Sequence, residues 1–195
     1  ENQLAGISAS NGMKFLVSRQ CDDCNGLVAF VTYVLPESDA AAKGIERGDF
    51  ITTINGTSLN VNNYIDLLYG DALSYSVGLA DYDPTEESFD LTGETITLDK
   101  VENFQEDPIH KNLVLDVGGQ KVGYLMYNKF LNEFDDQLIQ TFSDFAAEGI
   151  TDLVLDLRYN PGGSVRTCVY LASMITGQFT DEIFAQQIWN SKLLA

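Results

Sequence analysis

Residues 156–164 read DLRYNPGGS, and this stretch decides the fold of the second half of the chain. It follows the apolar run Leu153–Leu155 and precedes apolar residues at helical spacing between Val165 and Ile175. The predicted order is therefore a buried strand, a sharp turn and a helix. Such a turn directs backbone N–H groups outward beside a helix N-terminus, where negative charge is favoured. Enzymes that form a tetrahedral oxyanion need donors of this kind, so the stretch predicts an anion site.

The composition of the chain limits its partners. Its 195 residues are 45% hydrophobic, which is enough for an ordered core. With 11 basic against 29 acidic residues the formal charge is −18, so we expect no nucleic-acid partner and no attachment to an anionic membrane. We interpret the excess charge as a solvated acidic surface. No apolar run approaches the roughly 20 residues of a membrane span, so we expect no membrane insertion by this segment.

The first residue and the cysteines add little to the functional assignment. The chain starts at Glu1 without a signal peptide, which indicates a processed chain or a cloned segment. Cys21 and Cys24 form either a local disulfide or two free thiols in a loop, because a metal site would need further ligands and His110 is the one histidine. Cys168 fits a helical apolar pattern and is expected in the core. We therefore expect no metal site at the Cys21–Cys24 pair.

The first half of the chain alternates in the manner of strands, with short helices between them. The hairpin signal Asn55-Gly56 follows a predicted strand, and Pro84 lies in the acidic tract Asp81–Asp90, which we expect to be an exposed loop and a domain boundary. Ser38 or Asp39, and Asn62 or Asn63, are predicted to cap the two helices. The predicted strands are Met13–Arg19, Leu27–Leu35, Phe50–Ile54, Ser74–Leu79 and Thr95–Leu98.

The second half predicts a strand–helix–strand–helix unit. A hairpin is expected between Leu113 and Met126, with Gly118-Gly119 at its turn. The segment Phe134–Glu148 has apolar residues close to the helical period, and Gly149 ends it. The buried strand at Leu153 follows directly, so the two strands flanking this helix should be parallel with a right-handed crossover.

Residues 38–56 resemble a PDZ domain, with small residues, an apolar residue, Gly48-Asp49, an apolar strand and Asn55-Gly56 in order. The resemblance implies that an extended peptide adds to a strand and that loop N–H groups hold its terminal carboxylate. Gly12 and Met13 are similar to the start of such a carboxylate-binding loop. The groove residues implied by the resemblance are Gly12, Met13, Phe15, Tyr64 and Leu68. Ordinary core packing remains an alternative for Phe15 and Leu68.

The second half resembles the carboxyl-terminal processing serine peptidases, which are tail-specific. Lys121–Leu125 is similar to the strand that opens their core, and Leu155–Gly163 is similar to their Asp-Leu-Arg-x-Asn-Pro-Gly-Gly motif. The resemblance implies a Ser–Lys dyad, with serine as nucleophile and lysine as general base. It places the oxyanion donor on the backbone of Gly162 or Gly163. Arg158 and Asn160 would brace the turn or touch substrate, and a salt bridge beneath the turn is the alternative for Arg158.

The chain departs from this family pattern at the dyad itself. We find no counterpart of the Ser-Ala-Ser-like segment that carries the nucleophile. Ser164 is predicted to be a helix N-cap, and Ser173, Ser191 and Lys192 lack suitable surroundings. His110 near Asp107 could suggest a triad, but no nucleophile elbow accompanies it, and we expect a surface-loop histidine. We therefore expect these 195 residues to be inactive on their own.

The expected architecture is α+β / α/β. It divides into an N-terminal tail at 1–11, a PDZ-like β-barrel-type domain at 12–82, and the N-terminal part of an α/β protease core at 83–195. The resemblance implies protein or peptide C-termini as substrates, no cofactor, and an exported, periplasmic or cell-envelope protein. A non-catalytic peptide-binding protein and a small-ligand binder on a protease-like core are the alternatives. The oligomeric state is open.

Overall fold

The protein is described by a computed structural model at residues 7–179, 182–186, 188, 190 and 192. The chain forms two compact units that divide between Glu106 and Asp107. Each unit mixes strands with short helices, so the α+β / α/β class expected from the sequence is confirmed. Each unit is described by itself below.

The first unit is built mainly from antiparallel strands. Their sheet has the order β2-β3-β4-β6-β7, with β5 paired to β4, and β1 pairs with β8 in a separate two-stranded sheet. Among the described residues no pairing joins β2 to β7, so the sheet is open rather than a closed barrel. The elements are β1 Ile7–Ser10, β2 Met13–Arg19, β3 Leu27–Val34, α1 Asp39–Ala42, β4 Phe50–Ile54, β5 Thr57–Ser58, α2 Tyr64–Tyr69, β6 Ser74–Asp83, β7 Ser88–Asp99 and β8 Val101–Gln105.

One apolar core holds this unit together. Ile51, Ile54, Val77 and Leu98 are fully buried and come from three neighbouring strands. The pairing register of β4 shifts between Ile51 and Thr53, and this irregularity lets Ile51 and Ile54 join the same core although they lie three residues apart. Ser38 caps α1 by accepting a hydrogen bond from the Ala41 N–H at 3.3 Å, as predicted.

Two sequence expectations for this unit need correction. The acidic tract is a hairpin and not a loop, since Asp81–Asp83 ends β6 and Ser88–Asp90 begins β7. Aromatic packing of Phe50, Tyr82 and Phe89, with ring centroids 5.0–6.4 Å apart, holds the two strands together near the turn. A boundary at 82/83 would therefore cut paired strands.

The segment expected to be a tail is also ordered in part. Residues 7–10 form β1, and its register places Ser8 opposite Phe104. This pairing, together with the contribution of β7 to the core, is why the first unit extends to Glu106.

The second unit has a three-stranded sheet of order β11-β10-β9. β10 and β11 are parallel, with Leu125 opposite Leu155, and β9 is antiparallel to β10, which confirms the expected parallel pair around a helix. Leu125, Tyr127, Leu138, Phe145 and Leu171 form its buried core. The elements are β9 Ile109–Val117, β10 Gln120–Tyr127, a 3-10 helix at Asn132–Phe134, α3 Asp135–Glu148, β11 Asp152–Asp156 and α4 Val165–Ile175.

The remaining expectations concern isolated residues. Cys21 and Cys24 form a local disulfide with their Cα atoms 5.4 Å apart, and Cys168 is a free, half-buried thiol. His110 lies within β9 and not in a surface loop. No helix in the described part of the chain is long and apolar enough to cross a membrane. Within the described ranges, no cluster of three or more His, Cys, Asp or Glu side chains could hold a metal ion.

Candidate active site and peptide groove

The turn begins with an ion pair at the end of β11. The buried Asp156 carboxylate accepts hydrogen bonds from Arg158 Nε at 2.9 Å, from an Arg158 terminal nitrogen at 2.6 Å and from the Arg158 backbone N–H at 3.1 Å. Tyr124 on the adjacent strand adds its hydroxyl at 2.6 Å. Arg158 therefore braces the turn from below by a salt bridge, which was the alternative that the sequence left open.

Electrostatics keep this pair ionised. The Arg158 hydrogen bonds hold the pKa of the Asp156 carboxyl well below its usual range, although burial opposes them, and the Tyr124 hydroxyl lowers it further. The same carboxylate raises the pKa of Arg158 and that of Tyr124. Since the Arg158 side chain is 59% exposed, solvent screens the pair.

Asn160 fixes the shape of the turn. Its side-chain nitrogen donates to the Tyr127 carbonyl at 2.9 Å, and its side-chain oxygen accepts from the Gly162 N–H at 2.8 Å. The second bond is an Asx turn, in which an Asn side chain binds the backbone two residues on. Gly162 and Gly163 were the two expected oxyanion donors, and in this structure the N–H of Gly162 is engaged within the turn.

Gly163 lies closely against the neighbouring segment. Phe130 N–H donates to the Gly162 carbonyl at 3.0 Å, and Ser164 N–H donates to the Phe130 carbonyl at 2.8 Å. A Cβ atom at Gly163 would collide with that same carbonyl oxygen, and its φ of +139° suits only glycine. No acceptor for the Gly163 N–H is found among the described residues, which leaves it as the candidate donor.

The helix that follows is anchored at its first turn. Ser164 accepts from the Thr167 N–H at 3.3 Å, so it is the N-cap that the sequence predicted. The buried Thr167 hydroxyl donates to the Asp135 carboxylate at 2.6 Å, and Arg166 approaches the same carboxylate at 3.3 Å. Asp135 begins α3, so the two helix N-termini are tied together beside the turn. An anion near Gly163 would meet both an unused N–H and a helix N-terminus.

A second candidate site lies in the first unit. It is a groove of about 260 Å³ between the loop before β2, the end of α2 and the start of β6, and Phe15 and Leu68 are among its lining residues. The β2 strand is terminal in its sheet, and no strand of the described residues pairs with its outer edge, where a peptide strand could add. The lining residues are Ser8, Ala9, Ser10, Asn11, Met13, Lys14, Phe15, Leu68, Tyr69, Tyr75 and Lys100.

Three predicted groove residues behave differently from expectation. Tyr64 packs against the core and does not line the groove, where Tyr69 contacts Phe15 with ring centroids 5.7 Å apart. The Gly12 N–H donates to Ser10 Oγ at 3.0 Å and the Met13 N–H donates to Asn11 Oδ1 at 3.1 Å. These two N–H groups were expected to hold a carboxylate, and the structure shows them engaged within the loop.

Sequence reasoning missed the residues that come from distant strands. Tyr75 lies in β6 and Lys100 directly follows β7, and both line the groove. The Asn11 side-chain nitrogen donates to the Tyr75 hydroxyl at 2.9 Å. In the second unit, Tyr124 was missed for the same reason. Their only sequence signal is polarity beside a predicted strand end, which many surface residues share.

The other candidate catalytic residues have structural roles. Asp107 accepts from the Ile109 N–H at 2.8 Å and from Gln137 at 2.8 Å, so it supports the start of β9. Ser173 donates to the Val169 carbonyl within α4 at 2.8 Å. Ser191 lies outside the described residues, and Lys192 is exposed.

In β11 only Asp156 is buried and Val154 is 48% exposed, so the buried strand expected from the sequence is wrong. A fixed backbone N–H beside a helix N-terminus, like that of Gly163 in the turn, is nevertheless the kind of donor that acyl-transfer enzymes use to stabilise an oxyanion. The family model described as Peptidase family S41 matches residues 121–190, which include the whole of this turn. Residues 121–190 thus match this peptidase family, which confirms the resemblance to the carboxyl-terminal processing serine peptidases that the sequence indicated.

Individual relatives agree with the family match. The carboxyl-terminal-processing protease of Picosynechococcus sp. is 29% identical over 184 residues, which are 91% of this chain and 40% of that protein. A Staphylococcus aureus protein named as a CtpA-like serine protease is 30% identical over 145 residues, or 74% of this chain and 27% of that protein. The chain therefore spans less than half the length of these relatives.

Solved structures show the same relationship. A protein of Bacteroides fragilis assigned to the S41 proteases superposes with a TM-score of 0.62 at 27% identity, over 83% of this chain and 45% of that one. The photosystem II D1 C-terminal processing protease superposes with a TM-score of 0.56 over 90% of this chain and 46% of that one. At 22% identity the second match shows a shared fold alone.

Proposed function

We propose that the protein is a serine endopeptidase that processes the C-termini of proteins. The observation that carries this proposal is the Asp156–Ser164 turn, whose Gly163 N–H has no acceptor among the described residues and lies next to Ser164, the N-cap of α4. The turn supplies one oxyanion donor and is braced against movement by Asn160 and Arg158. Rigid placement matters because such donors act on charge that develops only in the transition state.

The chemistry follows from the family resemblance. A lysine amine takes the proton of a serine hydroxyl, the serine oxygen attacks the substrate carbonyl carbon, and the carbonyl oxygen becomes an oxyanion. Collapse of this intermediate breaks the C–N bond, with the proton passing to the leaving amine, and water then hydrolyses the acyl-enzyme. Gly163 would stabilise the oxyanion, and none of the described residues is assigned the role of the serine or of the lysine.

We further propose that the first unit is PDZ-like and captures substrate tails. Supporting this are the open edge of β2 and the groove between that strand and α2. The sequence predicted that this domain covers 12–82. We extend it to Glu106, because β7 and β8 belong to the same compact unit. The net charge of −18 argues against nucleic acid as a ligand.

We place the protein outside the cytosol, in the periplasm or the cell envelope. The local Cys21–Cys24 disulfide supports this location, because such bonds persist in oxidising compartments. Fractionation of the native host, followed by detection of the intact protein, tests it. Recovery in the cytosolic fraction with both thiols free would contradict the assignment.

The catalytic proposal is tested by proteolysis with the 195-residue chain and with the longer natural protein that contains it. We expect the longer protein to cleave a peptide with a free C-terminus, and a serine-directed fluorophosphonate to abolish the cleavage. We expect no cleavage by the 195-residue chain alone. Cleavage that resists the serine reagent and is lost with a chelator would overturn the proposal.

A further inference from the structure

We propose that Lys100 provides the positive charge that holds the terminal carboxylate of a bound tail, and that the groove around it accepts an apolar last side chain. The inference rests on tail capture by the first unit, as proposed above. It assigns to a lysine the role that backbone N–H groups were expected to fill. The ligand is a peptide with a free α-carboxylate and an apolar terminal residue.

The first observation concerns the donors of the loop. The N–H groups of Gly12 and Met13 already donate to Ser10 Oγ and Asn11 Oδ1, at 3.0 and 3.1 Å. Asn11 is buried and its side-chain nitrogen is bound to the Tyr75 hydroxyl, so its position is fixed from both ends. A carboxylate reaching this loop would have to break these bonds, and it therefore needs a counter-charge from another residue.

The second observation is the state of the lysines. The first unit has three, and two are neutralised: Lys14 lies 2.6 Å from Glu106, and Lys43 lies 2.9 Å from both Asp39 and Asp99. Lys100 differs, since no carboxylate of the described residues forms an ion pair with it.

The position of Lys100 is nevertheless well defined. Its Nζ atom donates to the Gly70 carbonyl at 2.9 Å and lies 5.4 Å from the centroid of the Tyr75 ring. These contacts hold the ammonium group at the groove but leave its charge uncompensated. A half-buried cation held in this way is suited to an anionic ligand.

The third observation is the apolar surface beside the cation. Phe15, Leu68 and Tyr69 come together with Tyr75 around about 260 Å³, below the roughly 300 Å³ at which pockets for drug-sized ligands begin. Leu68 and Tyr75 are only 3% and 5% exposed, so the walls are fixed by the core. Space of this size accommodates one apolar side chain of the terminal peptide residue, whose α-carboxylate would then lie towards Lys100.

The experiment measures fluorescence anisotropy of a short labelled peptide ending in valine, with either a free or an amidated carboxyl group, at fixed ionic strength. The protein is the full chain as wild type, Lys100→Met, Lys100→Arg and Lys14→Met. Lys14 is the matched control, because it also lines the groove and its loss changes the net charge equally. Urea unfolding midpoints of all four proteins show whether each variant remains folded.

We expect wild type to prefer the free acid by roughly tenfold, as a hydrogen bond to a charged group allows. The Lys100→Met variant should reduce the ratio of the two dissociation constants to near one, mostly by lowering the affinity for the free-acid peptide. The Lys100→Arg and Lys14→Met variants should keep the preference. A third peptide ending in aspartate should bind wild type more weakly than the valine peptide.

The outcomes separate the two levels of the proposal. Equal affinity of wild type for acid and amide would overturn tail capture itself. A wild-type preference that survives in folded Lys100→Met would leave tail capture standing and overturn the role of Lys100. Equal losses in Lys100→Met and Lys14→Met would also overturn that role, since they would indicate a general charge effect.

Discussion

The loop at Gly12 and the turn at Gly163 share an Asn side-chain hydrogen bond to the backbone but differ in the backbone N–H groups that remain available. In each, an Asn side chain accepts the N–H two residues on, at Met13 in the loop and at Gly162 in the turn. In each, a glycine has a positive φ where a Cβ atom would collide with a neighbour, the Ser38 side chain at Gly12 and the Phe130 carbonyl at Gly163.

The difference lies in the donors that remain. In the turn, the Asn bond occupies one N–H and leaves that of Gly163 without an acceptor in the described part of the chain. In the loop, Ser10 occupies the N–H of Gly12 as well, and a lysine lies alongside. A glycine-rich loop thus predicts where an anion could approach. The neighbouring side chains determine whether a backbone N–H or a lysine ammonium group would bind it.

The largest expected effect comes from separating the two regions. A fragment of residues 1–106 should fold and keep the preference for a free carboxylate, because the whole groove lies within one compact unit. A fragment of residues 1–82 should lose cooperative unfolding, since it lacks β7, whose Leu98 is fully buried. Urea titration followed by circular dichroism distinguishes them, and equal cooperativity of the two fragments would contradict this division.

Substitution within the turn tests how tightly it is packed. Gly163→Ala should destabilise the chain by roughly 3 kcal/mol or more, because it combines a glycine-only φ with a collision at Phe130. Gly162→Ala is the matched control, with a φ of +110° and no atom within 4 Å of the added Cβ, and should cost about 1–2 kcal/mol. Urea midpoints measure both, and equal losses would mean that contact with Phe130 does not define the turn.

Much of the local structure could be predicted from the sequence. Turn residues before apolar segments located β2 and β4, and the helical period located α3, because these signals depend on neighbouring residues alone. The β6–β7 hairpin was missed near its turn, where Asp81 lies opposite Asp90. Both faces of a hairpin tip meet solvent, so a polar tract gives no alternation that would distinguish a strand from a loop.

The sites were predictable only as far as they are local. The turn was located because its residues are consecutive, but the choice between Gly162 and Gly163 depends on where the Asn160 side chain points. Lys100 was not predictable, since the strands between it and Phe15 must pair before the two approach the same groove. Side-chain hydrogen bonds and non-local pairing therefore account for the missed residues.

The ion pair under the turn should make its stability depend on pH. Asp156 has a lowered pKa in the folded chain, so it stabilises the fold above the unfolded pKa of roughly 3.9, and this contribution is lost as pH falls towards the folded pKa. Asp156→Asn should therefore cost about 1–2 kcal/mol at pH 7, after screening around Arg158, and less in acid. Unfolding midpoints between pH 2 and 7 measure the gap, and a gap that widens in acid would contradict the assignment.

The smallest expected effect comes from giving the loop at Gly12 a free backbone N–H like that of Gly163 in the turn. Ser10→Ala removes the acceptor of the Gly12 N–H and so should free one backbone donor at the groove. In a Lys100→Met background it should restore about two- to fivefold of the lost affinity for the free-acid peptide, because one solvent-exposed hydrogen bond from a backbone N–H contributes roughly 0.5–1 kcal/mol. The amidated peptide serves as the control and should not gain. If Ser10→Ala strengthened both peptides equally, the loop N–H would not be reaching the carboxylate, and the contrast between a backbone site and a lysine site would not depend on Ser10.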